Sequence, residues 1–306
     1  MNNAYCTLTD LLTLRLKAKK LKLCSRVNTS SQFSGGKKSL FKGRGIDFEE
    51  VRPYAFGDDV RSIDWRVTAR KMKPHTKIFQ EEREKPHIII LDQSLSMLFG
   101  SSNYLKSVAA CHCAAVLAWA VLKNGDRIGG VIFNNDNLIE IKPKRSQKSI
   151  VNLLNHAAEM SKSLLTAQAT EDTNTHYMNK ALRHARRVAK SGNQLFIISD
   201  FYSIDDEMEA SISKLSKHNQ LMLILVYDAL ETKLPKPALY SISNGEQLSQ
   251  INTANKKLKH AFTKIYEQRQ QRITNLAEKY GIAIITIDSG SCAAEQLLNT
   301  INYKKL

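Results

Sequence analysis

At 306 residues the chain can hold one large domain plus an appended region, and its formal net charge of +16 is unevenly placed. It has no run of eighteen apolar residues, so no transmembrane helix is expected, and Leu8–Leu14 is too broken by polar residues to be a signal peptide. Five cysteines, an odd number with no Cys-x-x-Cys spacing, fit a reducing compartment, and a cytoplasmic location is expected.

The first segment, residues 1–33, is expected to be a basic helix or arm. Residues 1–44 carry ten Lys/Arg against one acid, Asp10. Over 11–26, Leu11, Leu12, Leu16 and Leu23 interleave with Arg15, Lys17, Lys19, Lys20 and Lys22. One reading is an amphipathic helix touching an anionic membrane surface or an acidic partner through residues 11–26. The favoured reading is a helix that packs its leucines on the main domain and leaves its lysines in water.

Residues 34–86 read as a small β-rich appendage. Asp58, Asp59, Arg61, Asp64, Arg66 and Arg70 alternate in charge around Trp65, the pattern of an ion-pair network that fixes this appendage on a sheet.

Residues 87–306 carry the main domain. His87–Leu91 is β-branched and too short for a helix, so it reads as a buried strand, ending in Asp92. A helix over about Tyr104–Lys123 ends in the turn residues Asn124-Gly125-Asp126. Arg127–Phe133 is a second strand, and Asn134–Asn137 turns it into a short hairpin strand, Leu138–Ile141. Helices follow over about Gln147–Leu165 and His176–Lys190. The apolar runs Leu195–Asp200 and Leu221–Asp228 are further strands, and a long polar helix, about Thr253–Tyr280, leads into a last strand, Ile282–Asp288. This alternation predicts an α/β fold with a doubly wound, mostly parallel six-stranded sheet. Cys111-His112-Cys113 is not a zinc pair, because i and i+2 on a helix do not share a face.

In the order 3-2-1-4-5-6 the first and fourth strands are neighbours where the winding reverses. Asp92 and Asp200 then meet at the carboxyl-end crevice. Asp92-Gln93-Ser94-Leu95-Ser96 puts one carboxylate and two hydroxyls on one loop. Hard oxygen donors of this kind suit Mg²⁺ or Mn²⁺ and not a soft metal. The stretch Glu171–His176 can bring another donor to the same place. In the von Willebrand factor A fold, which the Asp92–Ser96 loop resembles, a threonine usually sits there. Aligning the helix Tyr177–Leu182 without a gap puts His176 at that position, and a one-residue shift puts Thr175 there. Thr175 is chosen because a hydroxyl suits a hard cation. The predicted ligand set is Asp92, Ser94, Ser96, Thr175 and Asp200. The bland alternative is that Ser94 and Ser96 cap the next helix and Asp200 ends a strand.

Asp-x-Ser-x-Ser resembles the first element of a metal-ion-dependent adhesion site in the von Willebrand factor A fold. The upstream elements Gly43-Arg44-Gly45, Phe48, Arg52-Pro53-Tyr54, Gly57-Asp58-Asp59, Arg61 and Ile63-Asp64-Trp65 narrow the resemblance. So do Gln80–Glu84, Gly125-Asp126-Arg127 and Ser199-Asp200-Phe201. Together they resemble the bacterial "domain of unknown function fifty-eight" family, over roughly Ser34 to Asp288. The resemblance implies a von Willebrand A-like domain acting as adaptor or chaperone partner of a MoxR-type AAA+ ATPase, which members of this family are often encoded beside. It also implies a client protein, and a partner's acidic residue completing the coordination of the ion. Leu95 stands where a glycine is common, which stiffens the loop without removing a ligand.

The leading expectation is therefore a non-enzymatic, metal-dependent protein-interaction domain. A Mg²⁺-dependent phosphatase or nuclease with Asp92 as nucleophile is the alternative. Ser94 stands where haloacid-dehalogenase-type enzymes place their acid-base aspartate, and no acid lies in Gln93–Ser102 to replace it. A nucleic-acid-binding role rests on net charge alone, with no recognisable binding module. No Walker A pattern occurs, so ATP hydrolysis would fall to a partner.

Overall fold

The computed structural model describes residues 4–21, 46–81, 86–167, 174–243 and 248–304. The elements Gly43-Arg44-Gly45 and Glu82–Glu84, and the residues Leu23 and Glu171–Thr173, lie outside the described residues. The chain divides into two compact units: Met1–Arg26 with Lys85–Leu306, and Val27–Glu84.

In chain order the elements are α1 (Leu8–Thr13), α2 (Arg15–Ala18), β1 (Ile46–Pro53), α3 (Trp65–Lys71), β2 (His75–Glu81), β3 (Pro86–Asp92), α4 (Lys106–Lys123), β4 (Arg127–Phe133) and β5 (Leu138–Lys144). They continue with α5 (Gln147–Ser163), α6 (Asn174–Val188), β6 (Gln194–Ser199), α7 (Asp206–Ser216), β7 (Gln220–Tyr227) and α8 (Ala229–Thr232). The last are β8 (Leu239–Ser243), β9 (Leu248–Asn252), α9 (Lys256–Lys279), β10 (Ala283–Asp288) and α10 (Ala293–Lys304).

The larger unit is a mixed α/β structure around one six-stranded sheet, ordered β10-β7-β6-β3-β4-β5. Counted along the chain this is 3-2-1-4-5-6, with the third strand, β5, antiparallel and the others parallel. The central strands are continuous β-branched and leucine runs because both of their faces are covered. Ile89 and Leu91 enter one core with α1, α2, α4, α5 and α10. Ile88 and Ile90 enter the other with α6, α7 and α9. Helix α7 and the antiparallel hairpin β8–β9 add to the elements expected from sequence.

Helix α4 is the hub of the first core. Its alanine-rich sequence favours helix and lets neighbours approach closely. It stops at Gly125, whose φ of +84° only glycine adopts cheaply, with Asp126 N–H donating to Val121 C=O at 3.2 Å. Among the described residues α4 alone is long and apolar enough to cross a membrane, and its 89% burial is that of a core helix. Cys111, His112 and Cys113 are all buried within it. Burial pushes both thiols up and holds His112 down at about 4. For Cys111 the largest cause of the rise is its hydrogen bond with Cys6, with burial second.

The basic arm is built onto this helix. Thr7 and Asp10 form a capping box that starts α1. Leu11, Leu14, Ala18 and Leu21 are buried in the α4 core, while Leu16 is 69% exposed. Trp119 Nε1 donates to Leu11 C=O at 3.3 Å, and Lys123 Nζ donates to Lys19 C=O at 2.7 Å. Leu11→Ala is therefore expected to cost about 2–4 kcal/mol, the usual range for a leucine emptied from a packed core. Urea unfolding checks it, and a loss below about 0.5 kcal/mol would mean the arm is only a solvated appendage.

In the smaller unit β1 and β2 pair antiparallel around α3, so the unit mixes strand and helix. Its charges act locally. Asp59 caps a short 3₁₀ turn and Asp64 caps α3, while Arg52 pairs with Asp58 at 2.7 Å and Lys77 with Asp64 at 3.4 Å.

Candidate functional site

Strands β3 and β6 lie side by side in parallel, with Leu91 opposite Ile198. The chain leaves them toward opposite faces, so their carboxyl ends meet at the topological switch point, the usual ligand position in such sheets. Asp92 and Asp200 both stand there, 4% and 1% exposed.

Asp92 is held from two sides. Its Oδ1 accepts Ser94 N–H at 2.9 Å, and its Oδ2 accepts the Ser199 hydroxyl at 2.6 Å. Ser199 Oγ in turn accepts Phe201 N–H at 3.0 Å. Phe201 is buried with φ +47°, an uncommon conformation for a bulky residue and a form of strain that gathers at functional sites. The Asp92 loop is tied down further by Leu95 N–H donating to Asn135 Oδ1 at 2.6 Å and Gln93 N–H donating to Phe133 C=O at 2.8 Å.

The two loop hydroxyls lie together. Ser94 Oγ and Ser96 Oγ are 3.2 Å apart, and Ser96 Oγ donates to Asp200 Oδ1 at 3.1 Å. Tyr202 N–H donates to the same Asp200 oxygen at 3.0 Å. Ser94 precedes a 3₁₀ turn, Leu95–Met97, without a side-chain cap bond, and the N-cap residue of α4 is Leu105. Ser94, Ser96 and Asp200 thus form one hydrogen-bonded chain of oxygens, which the Ser94 backbone N–H ties to Asp92. Thr175 is the second residue of α6, and its side chain lies outside the described part; His176 is exposed beside Tyr177.

Lys106 is an addition that the sequence reading did not anticipate. It is the first residue of α4 and is 1% exposed. Its Nζ donates to Asp200 Oδ2 and to Glu231 Oε1, both at 2.7 Å. Burial alone would lower the ammonium's pKa, but the two carboxylates outweigh it and the net shift is upward. A lysine opening an otherwise apolar helix opposes the helix dipole. That misplacement was the available signal.

Among the described residues Asp92 has no ion-pair partner. Burial, then the negative charge of Asp200, push it up to about 6 against the hydrogen bonds from Ser199 and Ser94. The donor set is all hard oxygen, and a divalent cation there would supply the charge that Asp92 lacks. Among the described residues no group of three or more His, Cys, Asp or Glu side chains is placed to hold a metal. An ion here would rest on the Ser94 and Ser96 hydroxyls, backed by the two aspartates.

A third buried carboxylate braces the site. Asp228, at the end of β7, accepts Ser101 N–H at 2.8 Å, the Ser101 hydroxyl at 2.5 Å, Leu230 N–H at 2.9 Å and the Ser289 hydroxyl at 2.8 Å. It fixes the segment that follows Ser96 to the ends of β7 and β10.

Residues 50–272 match the family described as "Protein of unknown function DUF58". The chain belongs to this family. Relatives include the uncharacterized proteins Rv1480 of Mycobacterium tuberculosis and Mb1516 of Mycobacterium bovis, each 27% identical over 215 residues. The match covers 70% of this chain and 65% of each relative, so the chain spans just under two thirds of their length. Among solved structures, BatB from Bacteroides thetaiotaomicron aligns with a TM-score of 0.41 at 15% identity, over 72% of this chain and 98% of that one. An aerotolerance-related membrane protein from Bacteroides fragilis aligns with a TM-score of 0.38 at 16% identity, over 71% and 99%.

Proposed function

We propose that this DUF58 chain is a non-enzymatic, von Willebrand A-like interaction module whose crevice binds Mg²⁺ or Mn²⁺ and, through it, an acidic side chain of a partner. The observation that supports this best is the meeting of two carboxylates and two hydroxyls from β3 and β6 at one sheet edge, Ser96 Oγ bridging to Asp200 at 3.1 Å. Hydroxyl ligands neutralise little of the ion's charge, so an open coordination position favours an incoming carboxylate. Metal and partner then bind cooperatively. The partner in this reading is a MoxR-type AAA+ ATPase acting on a client protein. An ATPase partner needs ATP, so the proposal includes a cytoplasmic site of action. A membrane role for residues 11–26 has less support, since Leu11, Leu14 and Leu21 are buried in the core.

The test is capture of a purified MoxR-type AAA+ ATPase from the same organism by the immobilised chain, with Mg²⁺ or with chelator. Capture is expected with Mg²⁺, and it should be lost with chelator or in Asp92→Asn. Capture that is equal in all three arms would remove the metal from the mechanism.

Lys106 is the one feature that favours the enzymatic alternative, because an ammonium beside a carboxylate cluster suits phosphoryl transfer. Two observations weigh against it. The ammonium is already bound to two carboxylates, and both Asp92 oxygens accept hydrogen bonds. With Mg²⁺ or Mn²⁺ the purified chain is expected to show no phosphatase, nuclease or ATPase turnover above background. Turnover abolished by Asp92→Asn would establish the enzyme instead.

A further inference from the structure

Asp200 offers its two oxygens to different groups. Oδ1 faces the Ser96 hydroxyl and Tyr202 N–H, and Oδ2 takes the Lys106 ammonium. Any cation held by Ser96 and Asp200 is therefore a like charge beside a lysine on the same carboxylate. Lys106 cannot retreat to water, being 1% exposed. It does have a second anion, Glu231 Oε1, at the same 2.7 Å.

We infer that Lys106 is a tethered counter-ion of the crevice, that a divalent cation must compete with it for Asp200, and that Glu231 sets the outcome by drawing the ammonium away. The inference rests on the metal-binding reading above. Glu231 lies on α8, where its other oxygen accepts Asp228 N–H at 3.1 Å. Its Oε1 is also 4.0 Å from Arg269 Nη2 on α9, and that guanidinium lies over the rings of Tyr202 and Tyr266 at 5.4 and 5.8 Å. Lys106 and Arg269 thus share one carboxylate. Metal occupancy at Ser96 and contacts made on α9 at Arg269 are linked through it, and the linkage is reciprocal. A ligand that pulled Arg269 off Glu231 would free that carboxylate for Lys106 and strengthen metal binding.

The test is Mn²⁺ binding to the full chain by calorimetry and by electron paramagnetic resonance, with folding checked by circular dichroism. Lys106→Met keeps the length and apolar stem and removes the charge. It is expected to bind Mn²⁺ at least ten-fold more tightly than wild type. Glu231→Gln keeps an acceptor for Asp228 N–H but leaves Asp200 as the ammonium's sole anion, and it is expected to bind several-fold more weakly. Opposite signs from two partners of one ion pair are not what a purely structural pair produces, since breaking it from either side would then act alike. If folded Lys106→Met binds Mn²⁺ no more tightly than wild type while wild type binds, the competition is overturned and the metal site stands. If no variant and no wild type binds, both are overturned. Should Lys106→Met fail to fold, Glu231→Gln decides alone: weaker binding supports the inference, and unchanged or tighter binding overturns it.

Discussion

Asp92→Asn is expected to raise the melting temperature of the metal-free chain at pH 7.5 and to abolish the further stabilisation by Mg²⁺. Asp92 is buried, with Asp200 as a negative neighbour, and its carboxyl is pushed from 3.8 up to about 6. The folded state therefore holds this proton more tightly than the unfolded state. The contribution to stability is present below about pH 3.8 and is lost as pH rises through about 6. A shift of this size corresponds to roughly 3 kcal/mol of cost at neutral pH. Asparagine removes the charge and keeps both contacts, its oxygen accepting Ser94 N–H and its amide donating to Ser199 Oγ. The advantage over wild type should vanish near pH 4, where Asp92 is protonated. In wild type, Mg²⁺ at a hundred times its dissociation constant should add about 2.7 kcal/mol, because only the folded state assembles the site. The variant should show none of this. Melting curves at pH 4 and 7.5, with and without Mg²⁺, measure all four values. Equal Mg²⁺ responses in wild type and variant would sink the site.

Asp228→Ala is expected to act in the opposite direction and to cost about 3–5 kcal/mol, because it strands four donors around a buried position. Burial pushes this carboxyl up, but the hydrogen bonds led by those from Ser101 outweigh it, and its pKa is lowered. For a lowered acid the stabilisation is present above the unfolded value, near 3.8, and is lost as pH falls through the folded one. The gap between wild type and Asp228→Ala should therefore be largest at neutral pH and narrow under strong acid. Urea titrations at pH 7 and pH 3 test this. A loss under 1 kcal/mol at pH 7 would show that Ser101, Ser289 and the α8 terminus find water as an equal partner. The segment from Ser101 to Lys106 also loses its anchor in this variant, so Mn²⁺ affinity should fall even though no predicted ligand has been touched.

These two aspartates stand at strand ends of one sheet edge, yet they titrate with opposite signs. Nothing in the strings Leu91-Asp92-Gln93 and Tyr227-Asp228-Ala229 distinguishes them. The difference lies in what reaches each carboxylate: four donors at Asp228, and two donors with a negative neighbour at Asp92.

The sequence by itself determined the sheet. Strands covered on both faces must be apolar throughout, so Ile88–Leu91, Leu195–Ile198 and Leu221–Val226 declare themselves without their neighbours. The alternation with helices then restricts the strand order, and that order brings Asp92 to Asp200. Elements with weak patterns were not legible. Helix α7 buries only four of its eleven residues, and β8 begins with the exposed run Leu239, Tyr240 and Ser241. Only the tertiary structure decided the electrostatics of the crevice. Lys106 meets Asp200 across 94 residues and Glu231 across 125. No local period encodes such a meeting. A charge becomes costly, and its partner decisive, only when folding removes both from water, and burial is a property of the assembled sheet and helices rather than of any segment of chain.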